Sequence, residues 1–112
     1  MKDRYTTWYN ELKEMETNIK QKIIAISIYS SEESCNIFED RLNGIETITN
    51  ELILKQLNIK FDYVYGGHCG SPLTAWTCEH VIFPVVYDGL EWLSYVHRNP
   101  CNVSTEHIGV SK

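Results

Sequence analysis

The chain reads as a single α+β domain with element order αβααβββ. The expected sheet is antiparallel, with helices packed mainly on one face and a C-terminal β-hairpin. Three observations carry that reading. An Asp88-Gly89 pair separates two β-branched and aromatic runs. A helical stripe of large apolar residues opens the chain. Charge and aromatic content are divided between the halves, with 18 of 25 charged side chains in residues 1–60 and 8 of 13 aromatics between Phe61 and Tyr95. The 112 residues are enough for one domain to bury a core of its own. They divide into a helical, charge-rich part (1–58), a sheet-rich, aromatic part (59–101) and a short polar tail (102–112).

Residues 4–20 predict an amphipathic helix, since Tyr5, Trp8, Tyr9, Leu12, Met15 and Ile19 recur at helical spacing. Asp3 or Thr6 would cap it, and Glu16 and Lys20 would pair across one turn. Residues 22–30 alternate as a central strand, with Ile24, Ile26 and Ile28 facing one way and Ala25, Ser27 and Tyr29 the other. Ser30-Ser31-Glu32-Glu33 has the pattern of a capping box and predicts a helix over 31–43 that ends at Asn43-Gly44. Cys35, Phe38 and Leu42 would form its buried stripe, which makes Cys35 a core thiol. A further helix is expected over 46–57. Its start is weakly marked, because Thr47, Ile48 and Thr49 are β-branched. Residues 59–65 alternate as a half-buried strand, and the Gly-, Ser-, Thr- and Pro-bearing residues 66–77 read as a long loop.

The final hairpin pairs Cys78 to Tyr87 with Leu90 to His97. A type I′ turn needs positive φ at both central residues, and Asp-Gly supplies it. That turn sets Tyr87 against Leu90, Val85 against Trp92, Phe83 against Ser94, Val81 against Val96 and His80 against His97. Pro84 demands an edge position or a bulge, and a bulge would shift the register beyond it by one residue.

Composition narrows the functional classes. A net charge of −5 and the lack of any Lys/Arg run argue against nucleic acid as the ligand. No apolar run is long enough to span a membrane, and no apolar segment follows the charged first residues, so a cytoplasmic protein is expected. Four cysteines in that compartment point to free thiols or metal ligands and not to disulfides.

Six ligand-type residues gather near the open end of the expected hairpin: His68, Cys69, Cys78, His80, His97 and Cys101. Zinc takes four such ligands in a tetrahedron, so Cys78, His80, His97 and Cys69 form the candidate metal set, for one zinc or none. The competing reading is a cross-strand histidine pair beside cysteines packed as small apolar groups.

Cys78-Glu79-His80-Val81 also resembles the Cys-Glu-His motif of the lecithin:retinol acyltransferase-like branch of the NlpC/P60 peptidase family. Tyr63-Val64-Tyr65-Gly66-Gly67 resembles the Tyr-x-Gly-Gly approach to the nucleophile in NlpC/P60 enzymes. The resemblance implies a small cysteine-dependent hydrolase with Cys78 as nucleophile, His68 or His97 as base, and a helix starting at the cysteine. Thr77 stands where those families carry Asp or Asn.

A non-catalytic protein that binds another protein outweighs both alternatives, and an enzyme is the weaker expectation. Such a small acidic protein would act as an inhibitor or immunity-type factor by steric blockade. Trp76 in the loop, with Trp92 and Tyr95 on opposite faces of their strand, are the candidate partner-binding residues, since exposed aromatics anchor interfaces. An uncovered sheet face or edge could also pair two copies as a homodimer.

Overall fold

The N-terminal stripe folds as one helix, α1 (Trp8–Ile19), in a computed structural model that describes residues 4–30, 33–37, 42–67 and 69–108. Its cap is Thr7, whose extended backbone lets the hydroxyl accept from Asn10 N at 3.2 Å. The expected cap Thr6 belongs instead to a short strand, β1 (Tyr5–Thr6), and its hydroxyl donates to Glu11 at 2.7 Å. Asp3 lies outside the described residues. The helix ends at Lys20, which takes a left-handed conformation.

The central strand forms as β2 (Ala25–Ser30). The helix expected over 31–43 does not. Its place is taken by β3 (Glu33–Ile37), antiparallel to β2 with Ile28 opposite Cys35 and Ile26 opposite Ile37. Cys35 and Ile37 thus alternate inward while Ser34 and Asn36 alternate outward. The pattern suits an edge strand, and the ladder with β2 supplies the backbone partners that a capping box would have given a helix. Cys35 is half-buried against the core and Leu42 is buried, so both face inward without sharing a helix. Phe38 and the middle of the capping box lie outside the described residues.

The next helix is shorter than expected. A 3-10 turn (Ile45–Thr47) precedes α2 (Glu51–Leu57), and Asn50 caps α2 by accepting from Ile53 N at 3.0 Å. Ile48, in the β-branched run, is extended. The expected strand over 59–65 contracts to β4 (Phe61–Asp62), paired with β1 and not with the main sheet. Asp62 stops it, because its Oδ1 accepts from Val64 N at 3.0 Å and turns the chain. The expected loop over 66–77 contains a strand, β5 (Leu73–Trp76). With β6 (His80–Tyr87) and β7 (Leu90–His97), the main sheet has five antiparallel strands in the order β3-β2-β5-β6-β7. Among the described residues the order is βαββαββββ in place of the expected αβααβββ, within the α+β class.

The final hairpin keeps its expected register at every pair, from Tyr87 opposite Leu90 to His80 opposite His97. Asp88 and Gly89 both hold positive φ, at 52° and 82°. Pro84 sits opposite Leu93 without a bulge. Counting from the turn, its nitrogen points away from β7, toward the side where β5 lies. The β5 ladder stops at Ile82 opposite Ala75, so no hydrogen bond is missing.

Both helices pack on one face of the sheet, where Ile26, Ile28, Leu73, Ala75, Ile82 and Leu93 are buried with Trp8, Leu12, Ile53 and Leu57. Two buried carboxylates tie loops to this core. Glu16 turns inward instead of pairing with Lys20, and its Oε2 accepts from Ile23 N at 2.8 Å and Ile45 N at 2.9 Å. Glu91 accepts from Cys69 N at 2.7 Å and Gly70 N at 3.2 Å. A Cβ on Gly70 would lie 2.6 Å from the Trp8 ring, so only glycine lets this loop approach the indole. Trp8 Nε1 in turn donates to Ser71 O at 2.8 Å.

Glu16→Ala strands two buried N–H groups and is expected to cost about 2–4 kcal/mol, measured by urea unfolding. A second expectation concerns pH. Hydrogen bonds from Arg4, at 2.6 and 3.0 Å, hold the Asp62 carboxyl below the usual carboxylate range. The pair therefore favours the fold at neutral pH, and its contribution disappears as pH falls through the lowered value. An NMR titration of Asp62 should show that value rising toward normal in Arg4→Ala.

Candidate functional site

The face of the sheet opposite the helices carries a distinct composition. By the strand registers, β3 presents Ser34 and Asn36 there, β2 presents Ala25, Ser27 and Tyr29, and β5 presents Thr74 and Trp76. From β6 come Val81, Phe83, Val85 and Tyr87, and from β7 come Leu90, Trp92, Ser94 and Val96. Among the described strand residues on this face there is no Asp, Glu, Lys or Arg, in a chain that is 22% charged. The apolar weight lies on the hairpin. Phe83, Val85 and Trp92 are half-buried, while Tyr29, Tyr87 and Leu90 are exposed at 43%, 55% and 42%. Trp76 lies opposite Val81, so it extends the same apolar strip from the strand that the sequence hid in a loop. Tyr95 stands on the other face of β7, 43% exposed. It is thus separated from Trp76 and Trp92.

A second constellation sits at the open end of the hairpin. Thr77, fully buried, begins a tight turn closed by its own N–H donating to His80 O at 3.0 Å. Its hydroxyl accepts from Glu79 N at 3.3 Å and His80 N at 3.0 Å and donates to Gln21 Oε1. Gln21 Nε2 donates to Glu79 Oε1 at 2.5 Å. Since an ionised carboxylate only accepts, this contact fixes which end of the Gln21 amide is nitrogen. Gln21 Oε1 then faces His80 Nδ1 at 3.1 Å, so Nδ1 donates, and in the neutral ring this tautomer leaves the lone pair on Nε2. The His80 ring stands 4.8 Å from the His97 ring, centre to centre, and 5.1 Å from the Tyr95 ring, edge to face. Arg98 braces the turn from β7's end, with Nη1 donating to Thr77 O and its N–H to Glu79 O, both at 2.9 Å.

The expected cysteine partners do not join this cluster. Cys78 is not on the strand beside His80; it sits exposed in the turn between β5 and β6. Cys101 is exposed beyond the end of β7. Cys69 bonds through its N–H to Glu91, near the start of β7, and Glu91 is six residues from His97, about 20 Å along a strand. His68 lies outside the described residues. Among the described residues, no group of three or more His, Cys, Asp and Glu is arranged to hold a metal ion. Of Cys78, His80, His97 and Cys69, the two histidines lie ring to ring, and the cysteines stand apart from them. Nor does Cys78 start a helix, which the hydrolase resemblance implies; a strand follows it.

Comparison of the chain with protein-family models, curated proteins and solved structures returns no match. Among the described residues, no helix is long and apolar enough to cross a membrane.

Two contributors escaped the sequence reading. Gln21 carries no signal, as a lone amide between a helix and a strand. Strand β5 did carry one, since Leu73, Thr74, Ala75 and Trp76 alternate, but the surrounding Gly and Pro masked it. Thr77→Val keeps the side-chain shape and removes a hydroxyl with three partners in a buried site. Differential scanning calorimetry and urea melts should register a loss of about 2–3 kcal/mol.

Proposed function

We propose that this chain binds another protein through the uncharged face of its five-stranded sheet and inhibits it by covering its surface. The observation that carries the reading is the separation of charge. The chain bears −5 overall, yet its outward sheet face bears no charged strand residue among those described. Charged residues are depleted from interface centres, while aromatics and apolar groups are enriched there. Trp76, Phe83 and Trp92 are the anchors of this surface, and the acidic remainder of the chain suits a partner whose contact patch is apolar at the centre and basic around it. Tyr95, on the other face, is no part of the surface. An inhibitor or immunity-type factor acting by steric blockade needs no catalytic group, and the placement of Cys78 in a strand-to-strand turn favours this reading over the hydrolase.

The test is recovery of a partner from the source cell with the wild-type chain, Phe83→Asp and Trp92→Asp. Each variant should weaken a purified partner's binding by about tenfold or more, as truncated hot-spot residues do. The exposed control Lys55→Ala should leave it unchanged. Equal affinity for all four chains would overturn the proposal. A wild-type dimer in sedimentation that becomes monomeric in Phe83→Asp would instead assign the face to self-association.

A further inference from the structure

We propose that His80 and His97 together bind one divalent transition ion of the zinc and copper class at the open end of the β6–β7 hairpin. Three features of the site converge on this. First, the pair falls at a position of the ladder where neither residue's N–H nor C=O points to the other strand, counting from the Asp88-Gly89 turn. Side chains at such positions approach closest. Second, the ring separation fits two ligands on one ion. A metal–nitrogen bond of about 2.0–2.1 Å places an ion about 3.2 Å from each ring centre, so cis or tetrahedral imidazoles lie about 4.5–5.2 Å apart between centres. The observed separation is 4.8 Å. Third, the network behind His80 sets its tautomer. Glu79 orients Gln21, Gln21 Oε1 accepts from His80 Nδ1, and the buried Thr77 hydroxyl locks the amide in place. A metal-binding histidine is commonly held in this way, with one nitrogen donating to a fixed acceptor and the other presenting its lone pair.

Two imidazoles leave coordination positions for water, so the site is open and weaker than a four-ligand structural centre. It needs none of the thiols. An ion held there would join β6 to β7 at the end farthest from the turn and stabilise the hairpin that carries Phe83 and Trp92. The site does not depend on the protein-binding reading.

The experiment is calorimetric titration of the full chain with ZnCl2 and with CuCl2, alongside thermal melts with and without each ion. MgCl2, an oxygen-seeking ion, serves as control. One equivalent of zinc or copper should bind and raise Tm by linkage, and magnesium should do neither. His97→Ala, at an exposed position, should fold normally, weaken binding by about tenfold or more and abolish the Tm rise. Gln21→Leu, with folding checked by circular dichroism, should weaken binding by roughly tenfold or more while both imidazoles remain. The triple variant Cys69→Ser, Cys78→Ser and Cys101→Ser should bind as the wild type does. No binding by the wild-type chain, unchanged binding in His97→Ala, or loss of binding in the triple serine variant would each overturn the proposal. The last result would assign the ion to the thiols.

Discussion

Asp88 and Gly89 turn the chain back on itself with positive φ at both residues, and the register this imposes governs both surfaces of the hairpin. Because side chains alternate, one register sends Ile82 and Leu93 into the core and Phe83, Val85 and Trp92 to the outer face. The same count brings His80 against His97. A shift of one residue would exchange the two faces, exposing the core pair and burying the aromatic strip under the helices. Pro84 is compatible with this register only because β5 stops pairing at Ile82. A longer β5 would have met a position with no N–H to donate.

Around that hairpin the loops are held by buried carboxylates as well as by apolar contact. Glu16 and Glu91 are both buried, and each accepts only backbone N–H groups in its side-chain contacts described above. A carboxylate in that position is satisfied by donors that have no strand or helix partner of their own. Glu16 joins the end of α1 to the approach of β2 and to the 3-10 turn. Glu91 joins β7 to the loop that passes over Trp8. The cost of burying each carboxyl group is offset by these donors, and the loop geometry follows from them.

The two proposed surfaces lie on opposite faces of the same two strands. On the helix-covered side, the open end of the hairpin passes beyond the core and leaves His80, Tyr95 and His97 grouped at its margin. On the other side, the strip of Trp76, Val81, Phe83, Val85 and Trp92 runs the length of the hairpin without a charge. Strand alternation separates a polar, ligand-type cluster from an apolar surface by a single peptide plane. Tyr95 and Trp92, only three residues apart, therefore belong to different environments.

Local chemistry determined the parts of this fold whose cause is local. The Asp-Gly turn, the apolar stripe of α1 and the alternation of β2 were all legible, as was the α+β class. Each depends on φ preference or on spacing within one segment. The segments misread were those whose partners are distant in sequence. Residues 33–37 lie in the helix expected after the capping-box pattern of 30–33 and form a strand because β2 offers a ladder. Residues 73–76 look like loop and form a strand because β2 and β6 leave a gap between them. Asp62 ended a well-patterned strand by turning its own backbone. The placement of His80 opposite His97 was legible, since it follows from the turn alone. Its expected thiol partners were not, because Thr77 closes a turn that lifts Cys78 off the strand and Glu91 holds Cys69 at the far end of β7. Spacing sets which residues share a face within one element, but only tertiary structure decides which elements meet, because the hydrogen-bond partners that settle the choice lie elsewhere in the chain.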